Sequence, residues 1–178
     1  VDEIMKEFGR IDILINNAGT GGVVPAEEMP DEVFLNEVNI DLTGTFKMSR
    51  AIAAKAMIPA GYGRIINIAS MLSYFGGYTV PAYAASKGGV AQLTKALANE
   101  WASKNININA LAPGYMDTPM NVNLVNDPVR NTEILSRIPA KRWGTPDDMK
   151  GSIIFLASKA SDYLNGAVIP VDGGYLGR

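Results

Sequence analysis

The chain has 178 residues, 47% of them hydrophobic and 19% charged, a balance that suits a folded globular protein and excludes a disordered one. Sixteen Lys and Arg against eighteen Asp and Glu leave a net charge of -2. The chain therefore offers no polycationic face for nucleic acid or anionic lipid, and no apolar run approaches the ~18 residues of a membrane helix. Cys and His are both absent, which excludes disulfides and thiolate or imidazole metal sites. No metal is expected, and any acid–base chemistry has to rest on Tyr, Lys or a carboxylate.

Val1, Ile4, Met5 and Phe8 recur at helical spacing and Gly9 supplies a stop, which predicts a short helix with one buried face. No N-cap residue precedes Val1, so the chain is expected to begin inside a helix of a longer parent. Residues 11–15 form an apolar run without polar alternation that ends in Asn16-Asn17-Ala18-Gly19. Residues 64–70, 106–112 and 167–171 are runs of the same kind, as expected of strands covered on both faces of a parallel sheet. A helix is predicted over 31–57, in one or two pieces and closed by Gly61 and Gly63. A second covers 82–104, with Val90, Leu93, Thr94, Leu97 and Trp101 on one stripe. A third opens at Thr145, an N-cap ahead of Pro146, Asp147 and Asp148. Residues 115–143 are polar, Pro-bearing and weakly periodic, the profile of a long ligand-binding loop. The alternation of strand and helix predicts a doubly wound, Rossmann-like α/β sheet in three layers, one domain across residues 1–178.

Tyr83 and Lys87 stand four apart on a predicted helix and share a face. An ammonium beside a phenol favours the phenolate, which predicts a Tyr83 pKa below its free value of about 10. Ser70 lies at the end of the second predicted strand, Asn16 to Gly19 at the end of the first, and Pro113-Gly114 at the end of the third. The carboxyl edge of a parallel sheet is where such folds bind ligands, so these strand ends converge on one candidate site.

Asn-Asn-Ala-Gly, then Ser, then Tyr-x-x-x-Lys, then Pro-Gly, in this order and spacing, resembles the short-chain dehydrogenase/reductase family across essentially the whole chain. The resemblance implies that Tyr83 is the general acid/base and that Lys87 assists it while holding the ribose of NAD or NADP. It implies that Ser70 hydrogen-bonds the reacting oxygen. Asn16, Ala18, Gly19, Pro113, Gly114, Met116 and Thr118 would border the cofactor. It further implies a homo-oligomer, a dimer or tetramer paired through the helices over 31–57 and 82–104; a cytoplasmic location is expected from the lack of a targeting signal in the 178 residues.

Two departures stand out. Where the family pattern opens Asn-Leu-x-Gly-x-Phe, this chain reads Asp41-Leu42-Thr43-Gly44-Thr45-Phe46, which makes Asp41 the candidate for the fourth catalytic position. The family's Thr-Gly-x-x-x-Gly-x-Gly turn, which cradles the cofactor diphosphate, does not occur in the 178 residues. The expectation is a sheet without its first three strands, with residues 11–15 as an exposed apolar edge. Ser70-Met71-Leu72-Ser73, Pro113-Gly114-Tyr115-Met116, Arg137 to Gly144 and Asp172-Gly173-Gly174-Tyr175-Leu176 look like the family's sugar-acid branch. That branch includes 2-deoxy-D-gluconate 3-dehydrogenases and gluconate 5-dehydrogenases. It implies interconversion of a secondary alcohol and a ketone on a sugar acid, polyol or ketose. Arg142 is a candidate for the substrate carboxylate, or with Trp143 a pin for the loop. Tyr74, Tyr78 and Met116 are candidate pocket residues, and Asn121, Asn123, Asn126 and Asn131 make the loop polar. The alternatives are a 3-oxoacyl reductase of the same family, or a fragment without turnover that keeps only assembly surfaces.

Overall fold

The computed structural model describes residues 1–177. Four strands, β1 (Ile13–Asn16), β2 (Gly63–Ile68), β3 (Ile106–Pro113) and β4 (Val168–Val171), form one sheet in the order β1-β2-β3-β4, with every neighbouring pair parallel. β2 and β3 are the central pair, and their continuous apolar runs have the expected cause. Ile65, Ile66, Ile106, Ile108, Ala110 and Leu111 are all buried, facing helices on one side or the other.

One face of the sheet is covered by α5 (Pro81–Trp101) and by a long helical segment. Ile52, Ala53 and Met57 of that segment meet Leu97, Ala98 and Trp101 over Leu14, Ile65, Ile106 and Ile108. The other face carries α8 (Pro146–Ala157), whose Leu156 packs on Ile66 and Leu111. These are the three layers predicted from the alternation of elements. α5 runs straight into the 3-10 turn Ala102–Lys104, so the stripe identified in the sequence is the buried one: Val90, Thr94, Leu97 and Trp101 are buried and Leu93 packs against them.

The long segment is unbroken. α2 (Asp31–Val38) passes into a π-helical turn (Asn39–Thr43), then α3 (Gly44–Ile52), a second π turn (Ala53–Met57) and α4 (Ile58–Ala60). It stops at Gly61, which takes the left-handed conformation with φ 63°. Gly63, read in the sequence as part of that stop, instead opens β2. A Cβ there would lie 2.5 Å from Met57 Sδ, so glycine is required by the close approach of helix and strand.

Two expectations are corrected. α1 (Asp2–Phe8) forms and ends at Gly9, but its apolar face is not fully buried: Ile4 and Phe8 are exposed, Met5 is half-buried, and Val1 packs against the core. Residues 115–143 are not a plain loop. They hold the 3-10 turn Pro119–Asn121, α6 (Val122–Asn126) and α7 (Pro128–Arg137). α7 escapes a periodicity reading because it is polar and short, yet its start carries a clear signal. Asp127 caps it, accepting from the N–H groups of Val129 and Arg130 at 2.9 and 3.0 Å, with Pro128 at the first helical position. Among the described residues, no helix is long and apolar enough to cross a membrane, and no three His, Cys, Asp or Glu side chains gather as metal ligands.

Candidate active site

The carboxyl ends of β1, β2 and β3 lie together at one edge of the sheet, and buried polar side chains tie them there. Asn16 Nδ2 donates to Asn67 Oδ1 at 2.8 Å and to Ser49 Oγ at 2.9 Å. Asn67 Nδ2 donates in turn to Thr94 Oγ1, whose hydroxyl donates to the Val90 carbonyl. The network links β1, β2, α3 and α5, so Asn16 braces the edge.

Ser70 follows β2 and caps the 3-10 turn Met71–Ser73. Its hydroxyl accepts from Leu72 N–H at 3.1 Å, and Ser73 Oγ returns the contact to Ser70 N–H. Ser73 Oγ also donates to the Lys87 carbonyl at 2.6 Å, which fixes this turn against α5. The Ser70 side chain neighbours the Tyr83 phenol and favours its ionised form. Lys87 is 4% exposed; its Nζ donates to the Ile68 carbonyl at 3.0 Å and sits 3.2 Å from Asp41 Oδ2. Asp41 is completely buried and accepts from Thr20 N–H through Oδ1 at 2.8 Å. Ser70, Tyr83, Lys87 and Asp41, candidates from three separate stretches of sequence, therefore meet in one cluster.

Gly19 explains how the strap after β1 passes this cluster. A Cβ on Gly19 would stand 3.3 Å from both Asp41 Oδ2 and Lys87 Nζ, so any side chain would press into the ion pair. Gly114 is required on the opposite side, since its Cβ would lie 2.6 Å from the Asp172 Cα.

The electrostatics differ from the sequence expectation at one point. Tyr83 is held above the ordinary phenol range, not below it. Burial is the largest cause; the neighbouring Ser70 side chain opposes it, and the negative charges of Asp41 and Glu37 add to it. Lys87 does not reverse this, because its ammonium lies 5.4 Å from the centre of the Tyr83 ring and is paired with Asp41.

The remaining candidates have plainer surroundings. Met116 is buried against Gly144 and forms an isolated parallel bridge with it, closed by Asp117 N–H on the Gly144 carbonyl at 2.8 Å and Gly144 N–H on the Tyr115 carbonyl at 2.9 Å. Pro113 ends β3, and Thr118 is half-buried where the 3-10 turn begins. Arg142 is engaged bidentately by Asp148, both bonds 2.7 Å, and donates to the Trp143 carbonyl. That arrangement is the loop pin, and it leaves the fork occupied. Asn131 accepts from Trp143 Nε1 at 2.7 Å, and Asn121 donates to the Met116 carbonyl, so these two amides hold the loop together. Tyr78 stands almost fully exposed, and Tyr74 donates to the Val168 carbonyl.

The cluster also contains a residue that sequence reasoning missed. Glu37 is 3% exposed, four residues before Asp41, and its Oε1 has no hydrogen-bond partner. The signal was available: a carboxylate one helical turn before a candidate site residue falls on the same face. None of the cluster residues lines the open cavity of about 270 Å³ that α7 borders, whose walls include Tyr115, Arg130, Arg137 and Tyr175.

The family profile described as enoyl-(acyl carrier protein) reductase matches residues 1–176. The 2-dehydro-3-deoxy-D-gluconate 5-dehydrogenase of Escherichia coli is 51% identical over 178 residues, covering 100% of this chain and 70% of that protein. The protein of the same name from Pseudoalteromonas atlantica is 49% identical over the same span, again 70% of its length. The solved structure of a gluconate 5-dehydrogenase from Burkholderia cenocepacia, in complex with NADP and tartrate, matches with a TM-score of 0.97. Its sequence is 41% identical, over 99% of this chain and 69% of that one.

Proposed function

The chain belongs to the short-chain dehydrogenase/reductase family, and from that premise we propose that it interconverts a secondary alcohol and a ketone on a sugar acid with NAD or NADP, Tyr83 exchanging the proton. The observation that carries this reading is the meeting of Ser70, Tyr83, Lys87 and Asp41 at the carboxyl edge of the sheet, beside a strap whose Gly19 passes close to the Asp41–Lys87 pair. The names of the relatives favour a sugar acid over an acyl thioester.

The residues fit a nicotinamide cofactor. An ammonium has three donors; Ile68 and Asp41 face two of those on Lys87, and the third is left for a ribose hydroxyl. The bare Cα of Gly19 beside that ammonium admits a close approach. Asn16, Ala18, Pro113, Gly114, Met116 and Thr118 would border the nicotinamide end. The bound cofactor supplies the hydride.

The protein's part is positioning and proton handling. Ser70 and the Tyr83 phenol, neighbours in the cluster, converge on a single oxygen and stabilise the negative charge that builds there. Tyr83, held protonated by burial, donates to that oxygen as ketone becomes alcohol and takes the proton back in the reverse direction. Asp41 holds Lys87 in place from beneath. Val33, Leu35, Phe46 and Met48 leave exposed apolar side chains on the long helical segment, and these suit pairing with a second copy into a homo-oligomer.

The test is Tyr83→Phe in the cofactor-loaded enzyme, assayed on keto-sugar acids and on 3-oxoacyl thioesters. The expected result is turnover of the keto-sugar acid by the parent and a loss of about 10²–10⁴ in kcat in the variant, with an unchanged circular dichroism spectrum. Turnover confined to the acyl thioester, or full activity in the variant, overturns the reading.

A further inference from the structure

Four ionisable groups surround the glycine strap as two helical i, i+4 pairs. Glu37 and Asp41 lie on α2 and the π turn that follows it; Tyr83 and Lys87 lie on α5. The pairs face one another in order. Asp41 meets Lys87 at 3.2 Å. Glu37 meets Tyr83 across Gly21, where a Cβ would stand 3.2 Å from Tyr83 Cδ2 and 3.4 Å from Glu37 Oε1. The Glu37 carboxyl is nearly sealed from solvent, lies near the Gly22 N–H, and leaves Oε1 without a partner. A buried carboxylate with an unsatisfied oxygen is costly, and an apolar side chain at this helix–helix contact would avoid that cost. The proposed chemistry of Ser70, Tyr83 and Lys87 makes no use of it.

We propose that Glu37 is a positioning residue that acts through space on Tyr83, so that its charge sets the pH range over which the phenol exchanges its proton. The groups that face Glu37 are Asp41 on its own segment, Tyr83 and Lys87 on α5, and the Gly22 N–H on the strap. Lys87 does not cancel the charge, since Asp41 already engages it. Burial raises the pKa of Glu37 itself, with Asp41 adding to the rise and Gly22 and Lys87 opposing it. At the alkaline pH where a phenol titrates, the carboxyl is ionised and adds to the upward shift of Tyr83.

The inference rests on Tyr83 being the proton-exchanging group. Glu37→Gln keeps the shape and an acceptor oxygen while removing the charge. In the cofactor-loaded enzyme, the pH midpoints of alcohol oxidation and ketone reduction are both expected to move down by about half a unit or more. Glu37→Asp, which restores a charge, is expected to bring them back towards the parent. Ultraviolet titration of tyrosinate, taken as a difference against Tyr83→Phe, is expected to show the same downward shift without any turnover. Unchanged midpoints and an unchanged titration in Glu37→Gln, with Tyr83→Phe inactive, overturn the role of Glu37 and leave the proposed function standing. An active Tyr83→Phe enzyme overturns both.

Discussion

Asp41 and Lys87 form a charge pair almost entirely out of solvent, at 0% and 4% side-chain exposure. Such a pair gains little over an apolar substitute, but removing one partner strands the other. Asp41→Ala takes away both the anion beside Lys87 and the acceptor for Thr20 N–H. A loss of about 3 kcal/mol in unfolding free energy is expected, measured by denaturant titration. A second expectation follows from Tyr83. Its pKa is raised by burial first and by the Asp41 and Glu37 charges after that, so the phenol is protonated at neutral pH and the phenolate appears only in alkali. Ketone reduction, which needs the proton, is therefore expected to hold through neutral pH and fall in alkali. Alcohol oxidation, which needs the phenolate, is expected to climb over the same range; pH profiles of kcat in both directions decide the matter.

The loop over residues 115–143 is held at its end by the first turn of α8. Thr145 caps this helix, Asp148 returns the bond to Thr145 N–H at 2.7 Å, and Arg142 grips the same carboxylate. The Arg142 bond is the largest reason that the Asp148 carboxyl sits far below the usual carboxylate range, with Thr145 next. A depressed carboxylate stabilises the fold above its unfolded pKa, about 4. Asp148→Asn should therefore lower Tm at neutral pH, and the deficit should shrink as the pH falls below 4 or so. Thermal melts of parent and variant at the two pH values read this directly. The Thr145 cap and Pro146 were legible in the sequence, as were all four strands and α5, because each carries a local signal: an apolar run, a stripe, a cap. What was not legible depended on how side chains meet in the fold. Arg142 stood open between a carboxylate ligand and a pin for the loop until Asp148 was placed against it. Glu37 carried no motif; its spacing from Asp41 put it on the same helical face, but its burial beside Tyr83 became visible only when α2 was packed on α5. The direction of the Tyr83 shift failed for the same reason, since the sequence showed the Lys87 beside it but not the burial or the two carboxylates facing it.

At the scale of the whole molecule, the sheet is well covered at its centre and open at its β1 edge. β2 and β3 are sealed between helical layers, whereas β1 is an edge strand with Ile13 and Ile15 each about two-fifths exposed, at 43% and 41%. α1, which leads into β1, adds Ile4 at 47% and Phe8 at 66%. Together they make an apolar margin beside unpaired backbone donors and acceptors, the combination that invites strand addition. The effect opposes the site's needs, because Asn16 closes β1 and anchors the network that aligns β2 with α5. The 178-residue chain on its own is therefore expected to self-associate through this edge. Light scattering across a concentration series should show mass rising with concentration for the parent. Ile13→Lys, which places a charge on the strand without touching the buried Leu14, should suppress that rise, because a lysine on an edge strand resists pairing. If the variant associates as the parent does, the contact lies elsewhere, and the exposed apolar side chains of the long helical segment, Leu35 and Met48 among them, become the surface to substitute next.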